Sequence, residues 1–187
     1  GRLQDMKQAS GGAMRIAVLG AGSWGTTLAN LLAKKGSDVC LWAYEPDVVE
    51  AVNRSHLNPI FLPDSPLFSS LRAVGDAAEA VAGAELIVSV APSHALRSVL
   101  RRVRDAVPMG TIIASATKGL ETDTLALMSD VIAAELPQAR LAVLSGPSFA
   151  REVYEERPTA VVASSVDPVV AEAVQEAFAT PRFRVYT

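Results

Sequence analysis

Residues 15–36 read R-I-A-V-L-G-A-G-S-W-G-T-T-L-A-N-L-L-A-K-K-G, and this stretch decides the fold. Arg15 to Leu19 is a short apolar run that ends in glycine, the pattern of a buried strand. Trp24 to Lys35 then places Leu28, Leu31 and Leu32 at helical spacing and stops at Gly36, where a helix C-cap is expected. Between them, Gly20-Ala21-Gly22-Ser23-Trp24-Gly25 is G-x-G-x-x-G. Gly20 permits the tight turn, Gly22 lets backbone approach a pyrophosphate, and Gly25 lets helix and strand pack closely. The helix N-terminus offers N–H groups and the positive end of its dipole to that pyrophosphate. A bare glycine motif is weak evidence; this one sits in a strand–glycine–helix–strand unit of about 30 residues, which makes it specific for a dinucleotide.

Outward from this unit the chain alternates strands and helices. Strands are expected at 38–43, 86–91, 111–115, 141–144, 159–164 and 183–186. Helices are expected from Pro46 to about Asn53, at 76–82, 93–106, 123–135, 148–156 and 168–179. Residues 56–66 hold three prolines and read as irregular. The strands read as unbroken apolar runs, so both faces are covered, which points to an α/β doubly wound, mostly parallel sheet. Residues 1–13 lack periodicity and read as a leader or expression remnant, leaving 14–187 as a Rossmann NAD(P)-binding domain.

Composition narrows the function. Of 187 residues, 17 are basic and 20 acidic, a net charge of −3 without like-charge blocks, so the basic footprint of nucleic-acid binding is missing. Apolar runs of about six to eight residues are too short to span a bilayer. One cysteine, Cys40, and two histidines argue against disulfides and a zinc site, and point to a reduced, cytoplasmic setting.

In doubly wound sheets ligands bind beyond the carboxyl ends of strands. Those loops are Pro92-Ser93-His94, Ala116-Thr117-Lys118-Gly119-Leu120-Glu121 and Ser145-Gly146-Pro147-Ser148-Phe149-Ala150. Lys118 is either a point charge for an anionic substrate or a solvated turn lysine. Ser148 and the Gly146 backbone either bind a small polar substrate or, for Ser148, cap a helix. His94 is a proton carrier or incidental. At the tip of the second strand stand Tyr44 and Glu45, with no Arg or Lys before Arg54; this favours NAD over NADP, though Glu45 also suits a first helical turn. No nucleophile elbow, Walker A lysine or metal-ligand spacing occurs, and nicotinamide redox chemistry is the class that remains.

Assembled, these loops resemble the bacterial-type NAD(P)-dependent glycerol-3-phosphate dehydrogenases. The matching pieces are V-L-G-A-G-S-W-G-T-T-L-A at 18–29, L-W-A-Y-E-P at 41–46, F-L-P-D at 61–64, V-A-P-S-H at 90–94, A-T-K-G-L-E at 116–121, L-S-G-P-S-F-A-R-E-V at 144–153, P-T-A at 158–160 and F-R-V-Y at 183–186. The resemblance implies interconversion of sn-glycerol 3-phosphate and dihydroxyacetone phosphate with NAD or NADP, supplying phospholipid synthesis. Carried over by motif, it implies that Gly20, Gly22, Ser23, Trp24, Gly25, Tyr44, Lys118 and Ala150 bind the cofactor, and that Lys118, Gly146 and Ser148 bind the substrate. Many members carry His or Arg where this chain has Tyr44, which implies a weakened 2′-phosphate contact. The family continues into a helical domain with a catalytic lysine, so that lysine is expected after Thr187 and no catalytic residue is expected in this chain. A homodimer is the assembly considered for the full-length protein. A β-hydroxyacid or ketopantoate-type reductase, and an NAD(H)-binding module without turnover, stand as alternatives.

Overall fold

The computed structural model describes residues 13–117, 127–146 and 148–187. The leader reading, apart from Ala13, and all of Lys118 to Glu121 lie outside these residues, as do 123–126 of the expected 123–135 helix.

Eight strands form one sheet: β1 (Arg15–Leu19), β2 (Asp38–Trp42), β3 (Arg72–Val74), β4 (Leu86–Ser89), β5 (Ile112–Ser115), β6 (Arg140–Ser145), β7 (Thr159–Ser164) and β8 (Phe183–Tyr186). Their order is β3-β2-β1-β4-β5-β6-β7-β8. The helices are α1 (Ser23–Lys34), α2 (Pro46–Ser55), α3 (Ala77–Val81), α4 (Leu96–Val103, continued by a 3-10 turn Arg104–Ala106), α5 (Met128–Glu135), α6 (Ala150–Tyr154) and α7 (Pro168–Phe178). Strand order reverses between β1 and β4, the position at which open α/β sheets bind ligands.

Alternate residues of each strand enter opposite layers. Ile16 and Val18 of β1, Val39 and Leu41 of β2, and Leu86 and Val88 of β4 join Leu28, Leu32, Val48, Val52, Val174 and Phe178 on one side. Ala17, Leu19, Cys40, Trp42 and Ile87 join Val81, Leu96, Leu100, Val131 and Ile132 on the other. Two apolar layers on one sheet explain the unbroken apolar runs: every residue of β4 and β5, and all but the first of β1 and β2, is buried. Burial pushes the Cys40 thiol above its ordinary pKa, so it packs as a small hydrophobe.

Three features add to the sequence expectation of a mostly parallel sheet, which holds. β3 is absent from the expected strands; it is only three residues long, and Asn53 of α2 holds it by pairing with both backbone groups of Ala73, at 2.8 and 2.7 Å. β7 runs antiparallel to β6, because the connection from Gly146 to Pro158 turns back at the edge where β6 ends instead of crossing the sheet. β7 and β8 alternate buried and exposed residues, since α7 covers one face and no described helix of the second layer reaches the other. Helix α1 does end as read: Ser37 N–H donates to the Leu32 carbonyl and Gly36 N–H to that of Ala33, with Gly36 at φ +98°, a Schellman cap.

The second layer carries a charge cluster the sequence did not advertise. Arg97, Arg101 and Arg104, spaced to share one helical face, converge on Glu135 at the end of α5, which is only 4% exposed. The Arg97 hydrogen bond above all, with those from Arg101 and Arg104, holds the Glu135 carboxyl below its ordinary 4.5, against the opposing effect of burial. With its folded value lowered, the ionised carboxylate contributes fully above its ordinary value, and the contribution is lost as pH falls through the lowered one. Glu135→Gln should therefore lower stability at neutral pH by about 1.5–3 kcal/mol, the range for hydrogen bonds to charged groups. The gap to the wild-type chain should narrow on acidification, as urea unfolding across a pH series will show; a gap independent of pH would contradict this account.

Candidate functional site

The junction of β1 and α1 is built by steric exclusion. Gly20 has φ +122°, a conformation that L side chains rarely adopt, and a Cβ there would meet the Val90 carbonyl group at 2.9 Å. A Cβ on Gly25 would fall on the Gly20 carbonyl oxygen, so the first turn of α1 seats directly against the loop. Gly22 is different: it is the N-cap of α1, has ordinary φ, and a Cβ there would meet nothing within 4 Å. Two glycines thus serve packing, while the third borders open space at a helix start that no side chain caps and whose first turn carries no acid. Such an end suits an anion.

Beside it lies a cleft of about 250 Å³ lined by Ser23, Trp24, Ala116, Gly146, Ser148 and Ala150, among others. It unites three loops separated by up to about 120 residues in the chain and holds five of the residues expected at the site. Gly146 follows β6, and a Cβ there would meet the Ala160 carbonyl at 2.9 Å, so this glycine also lets β7 approach. Ser148 does not cap α6: the N-cap is Phe149, and the Ser148 hydroxyl is buried without a hydrogen-bond partner at the cleft wall. The helix-cap alternative for Ser148 is thereby removed.

Other expected residues lie elsewhere. Tyr44 stands beyond the end of β2, 75% exposed and outside the cleft. Glu45 is the N-cap of α2, but its side chain caps nothing. His94 is exposed in the turn before α4. Lys118 lies outside the described residues. Thr117, next to it, is anchored by donating its hydroxyl to the Ala91 carbonyl at 2.8 Å, which ties the loop after β5 to that after β4.

Sequence reasoning missed the contribution of the loop at 56–66. Arg151 Nη1 donates to Ser65 Oγ at 2.7 Å, and Tyr154 Oη donates to the Pro66 carbonyl at 2.8 Å, so α6, which follows the Gly146–Ser148 wall of the cleft, grips this loop. From the same loop Asn58 reaches the glycine turn. A buried-type Asn in a proline-rich run was the available signal, and it is too common to decide anything alone.

A doubly wound sheet with a glycine turn at its switch point and a cleft on its carboxyl edge defines a Rossmann-type α/β protein. Residues 15–171 match the family model described as NAD-dependent glycerol-3-phosphate dehydrogenase N-terminus, and the chain belongs to that family. A curated relative, the glycerol-3-phosphate dehydrogenase [NAD(P)+] of Geobacter sulfurreducens, is 53% identical over 176 residues, covering 92% of this chain and 52% of the relative. The crystal structure of glycerol-3-phosphate dehydrogenase from Coxiella burnetii superposes with TM-score 0.87 at 41% identity, covering 93% of this chain and 53% of that one. The chain thus spans about half the length of the curated relatives it matches. A ketopantoate reductase from Ralstonia eutropha JMP134, with TM-score 0.64 and 20% identity over 92% of this chain and 56% of that one, shares the fold alone.

The steric account separates the glycines by consequence. Gly25→Ala sets a methyl against backbone that cannot rotate away, and should destabilise the chain by at least about 1–3 kcal/mol, the usual range for overpacking. Gly22→Ala has open space and should melt within experimental error of the wild-type chain. Thermal unfolding of the two variants side by side checks both, and equal melting temperatures would refute the assignment of Gly25 to packing.

Proposed function

We propose that this chain is the cofactor-binding half of an enzyme interconverting sn-glycerol 3-phosphate and dihydroxyacetone phosphate, with NAD or NADP as hydride carrier. The observation that carries the reading is the single cleft where the glycine turn, the loop after β5 and the Gly146–Ala150 segment meet. When bound, the nicotinamide supplies or accepts the hydride. The chain's own residues bind and orient. The start of α1 receives the pyrophosphate through backbone N–H groups beside Gly22. Ser23, Trp24 and Ala150 complete the cofactor wall, Gly20 and Gly25 shape the turn that carries it, and Tyr44 stands towards the adenosine ribose. Gly146 and the unpartnered Ser148 hydroxyl face the substrate, and a hydroxyl that finds its partner only on binding favours occupancy, because the desolvation cost has already been met in folding. Lys118 belongs to this reading as a charge for the substrate phosphate.

Reduction of the ketone needs a proton at the carbinol oxygen, and a positioned general acid contributes roughly 10²- to 10⁴-fold. On this reading the acid is a lysine of the remaining half of the enzyme. The 187-residue chain should therefore oxidise NADH with dihydroxyacetone phosphate at least about 100-fold more slowly than an enzyme of full family length that includes it. Comparable turnover from the two would place the proton donor within this chain. A cytoplasmic location and a homodimeric full-length enzyme are parts of the same proposal; among the described residues no helix is long and apolar enough to cross a membrane.

Cofactor preference follows from charge at the strand tips. Glu45 follows β2 and Asp76 follows β3, its paired neighbour, and the Asp76 carboxylate accepts from the Ala78 N–H at the start of α3. Arg54, the first cation after Tyr44, sits at the far end of α2 paired with Glu50. A 2′-phosphate would meet carboxylates here, so NADH should bind at least as tightly as NADPH, and Gly22→Val should abolish binding of both by filling the open space. Calorimetric titration of the chain and the variant tests the set. A tenfold preference for NADPH, about 1.4 kcal/mol, would overturn the first expectation, and unchanged affinity in Gly22→Val would overturn the site.

A further inference from the structure

Asn58 is fully buried, yet it belongs to the proline-rich loop at 56–66 and is remote in sequence from the glycine turn. Its Nδ2 donates to the Ala21 carbonyl at 2.9 Å and to Thr26 Oγ1 at 2.8 Å, and its Oδ1 accepts from the Phe61 N–H at 3.2 Å. Thr26, also buried, donates its hydroxyl to the same Ala21 carbonyl at 3.2 Å. The Asn58 carbonyl accepts from Leu62 N–H at 3.0 Å and closes a bridge across the loop, so the amide is presented from a tight turn.

Two donors therefore converge on one carbonyl, and that carbonyl belongs to the peptide joining Ala21 to Gly22. In a trans peptide the C=O and N–H point in opposite directions. Holding the Ala21 oxygen inward, towards Asn58 and Thr26, turns the Gly22 N–H outward, to the exposed side of the loop. Without these donors the glycine-flanked peptide has little to stop it from rotating, and rotation would present a carbonyl oxygen to an anion instead of an N–H. Burying an amide this deeply is costly unless it is fully hydrogen-bonded, and here both of its N–H donors are used on this one task.

We propose that Asn58, acting with Thr26, is a positioning residue for the pyrophosphate: it touches no part of the cofactor but locks the Ala21–Gly22 peptide in the orientation that binds a diphosphate. The inference rests on the dinucleotide reading of the glycine turn. The test uses the 187-residue chain and its Asn58→Ala, Thr26→Val and Thr26→Ser variants, with affinities for NADH, ADP and adenosine measured alongside thermal unfolding. Thr26→Val keeps the shape of the side chain, so it serves should Asn58→Ala not fold. Asn58→Ala and Thr26→Val are expected to lose at least tenfold in affinity for NADH and ADP while changing adenosine affinity less than threefold, and Thr26→Ser, which restores the hydroxyl, is expected to recover NADH affinity. Equal losses for ADP and adenosine would reduce both residues to structural struts and overturn the proposal, as would folded variants that bind NADH like the wild-type chain. A wild-type chain that binds neither NADH nor ADP would instead overturn the underlying cofactor reading.

Discussion

The seating of helix α1 against the end of β1 is the contact on which the rest of the structure depends. It exists because Gly25 has no side chain to strike the Gly20 carbonyl and because Gly20 adopts φ +122° against the backbone of Val90. A side chain at Gly25 would strike the glycine turn, and one at Gly20 would strike the chain leaving β4, so neither position accepts one without a backbone shift. With α1 seated, its apolar face closes one core layer through Leu28 and Leu32, and its N-terminus comes to rest at the point where strand order reverses. One close approach thus sets both a packing relation and the direction in which a helix dipole points.

Around that contact the sheet is unequal. Its centre, β2, β1, β4 and β5, is covered on both sides, and there the strands are nearly continuous buried apolar runs. Beyond β6 the layer formed by α3, α4 and α5 stops, and β7 and β8 expose Val162, Arg184 and Tyr186 on the uncovered face. The antiparallel entry of β7 follows from the same segment that carries Gly146 and Ser148: by turning back at the carboxyl edge it leaves its polar groups at the cleft instead of carrying them across the sheet. The topology of the sheet edge and the composition of the cleft wall are one feature.

The loop at 56–66 links the two sides of the cleft. Asn58 holds the glycine turn from within, while Ser65 and the carbonyls of Pro63 and Pro66 receive Arg151 and Tyr154 of α6. A segment without regular structure, with three prolines to restrict its backbone, is therefore tied to both the glycine turn and α6. Its order comes from side-chain hydrogen bonds, which leave no periodic trace.

What the sequence determined by itself was whatever depends on neighbours in the chain. Backbone sterics made G-x-G-x-x-G after an apolar run a strand–turn–helix unit; helical spacing placed α1, α2, α4 and α7; residue types at the strand ends singled out Gly146 and Ser148; and the family resemblance added Ser23, Trp24 and Ala150 before any geometry was available. Tertiary structure alone decided what depends on distant segments meeting. β3 is too short to signal itself and is fixed by its pairing with β2 and by Asn53 of α2, which clamps Ala73. Glu135 looks like any helical carboxylate until three arginines of α4 and its 3-10 extension close on it. Asn58 is one polar residue among prolines until the fold carries it to Ala21, and Ser148 passes for a helix cap until α6 begins one residue later. Propensity and periodicity are local properties, whereas the partner of a buried polar group is set by the assembly of the whole chain.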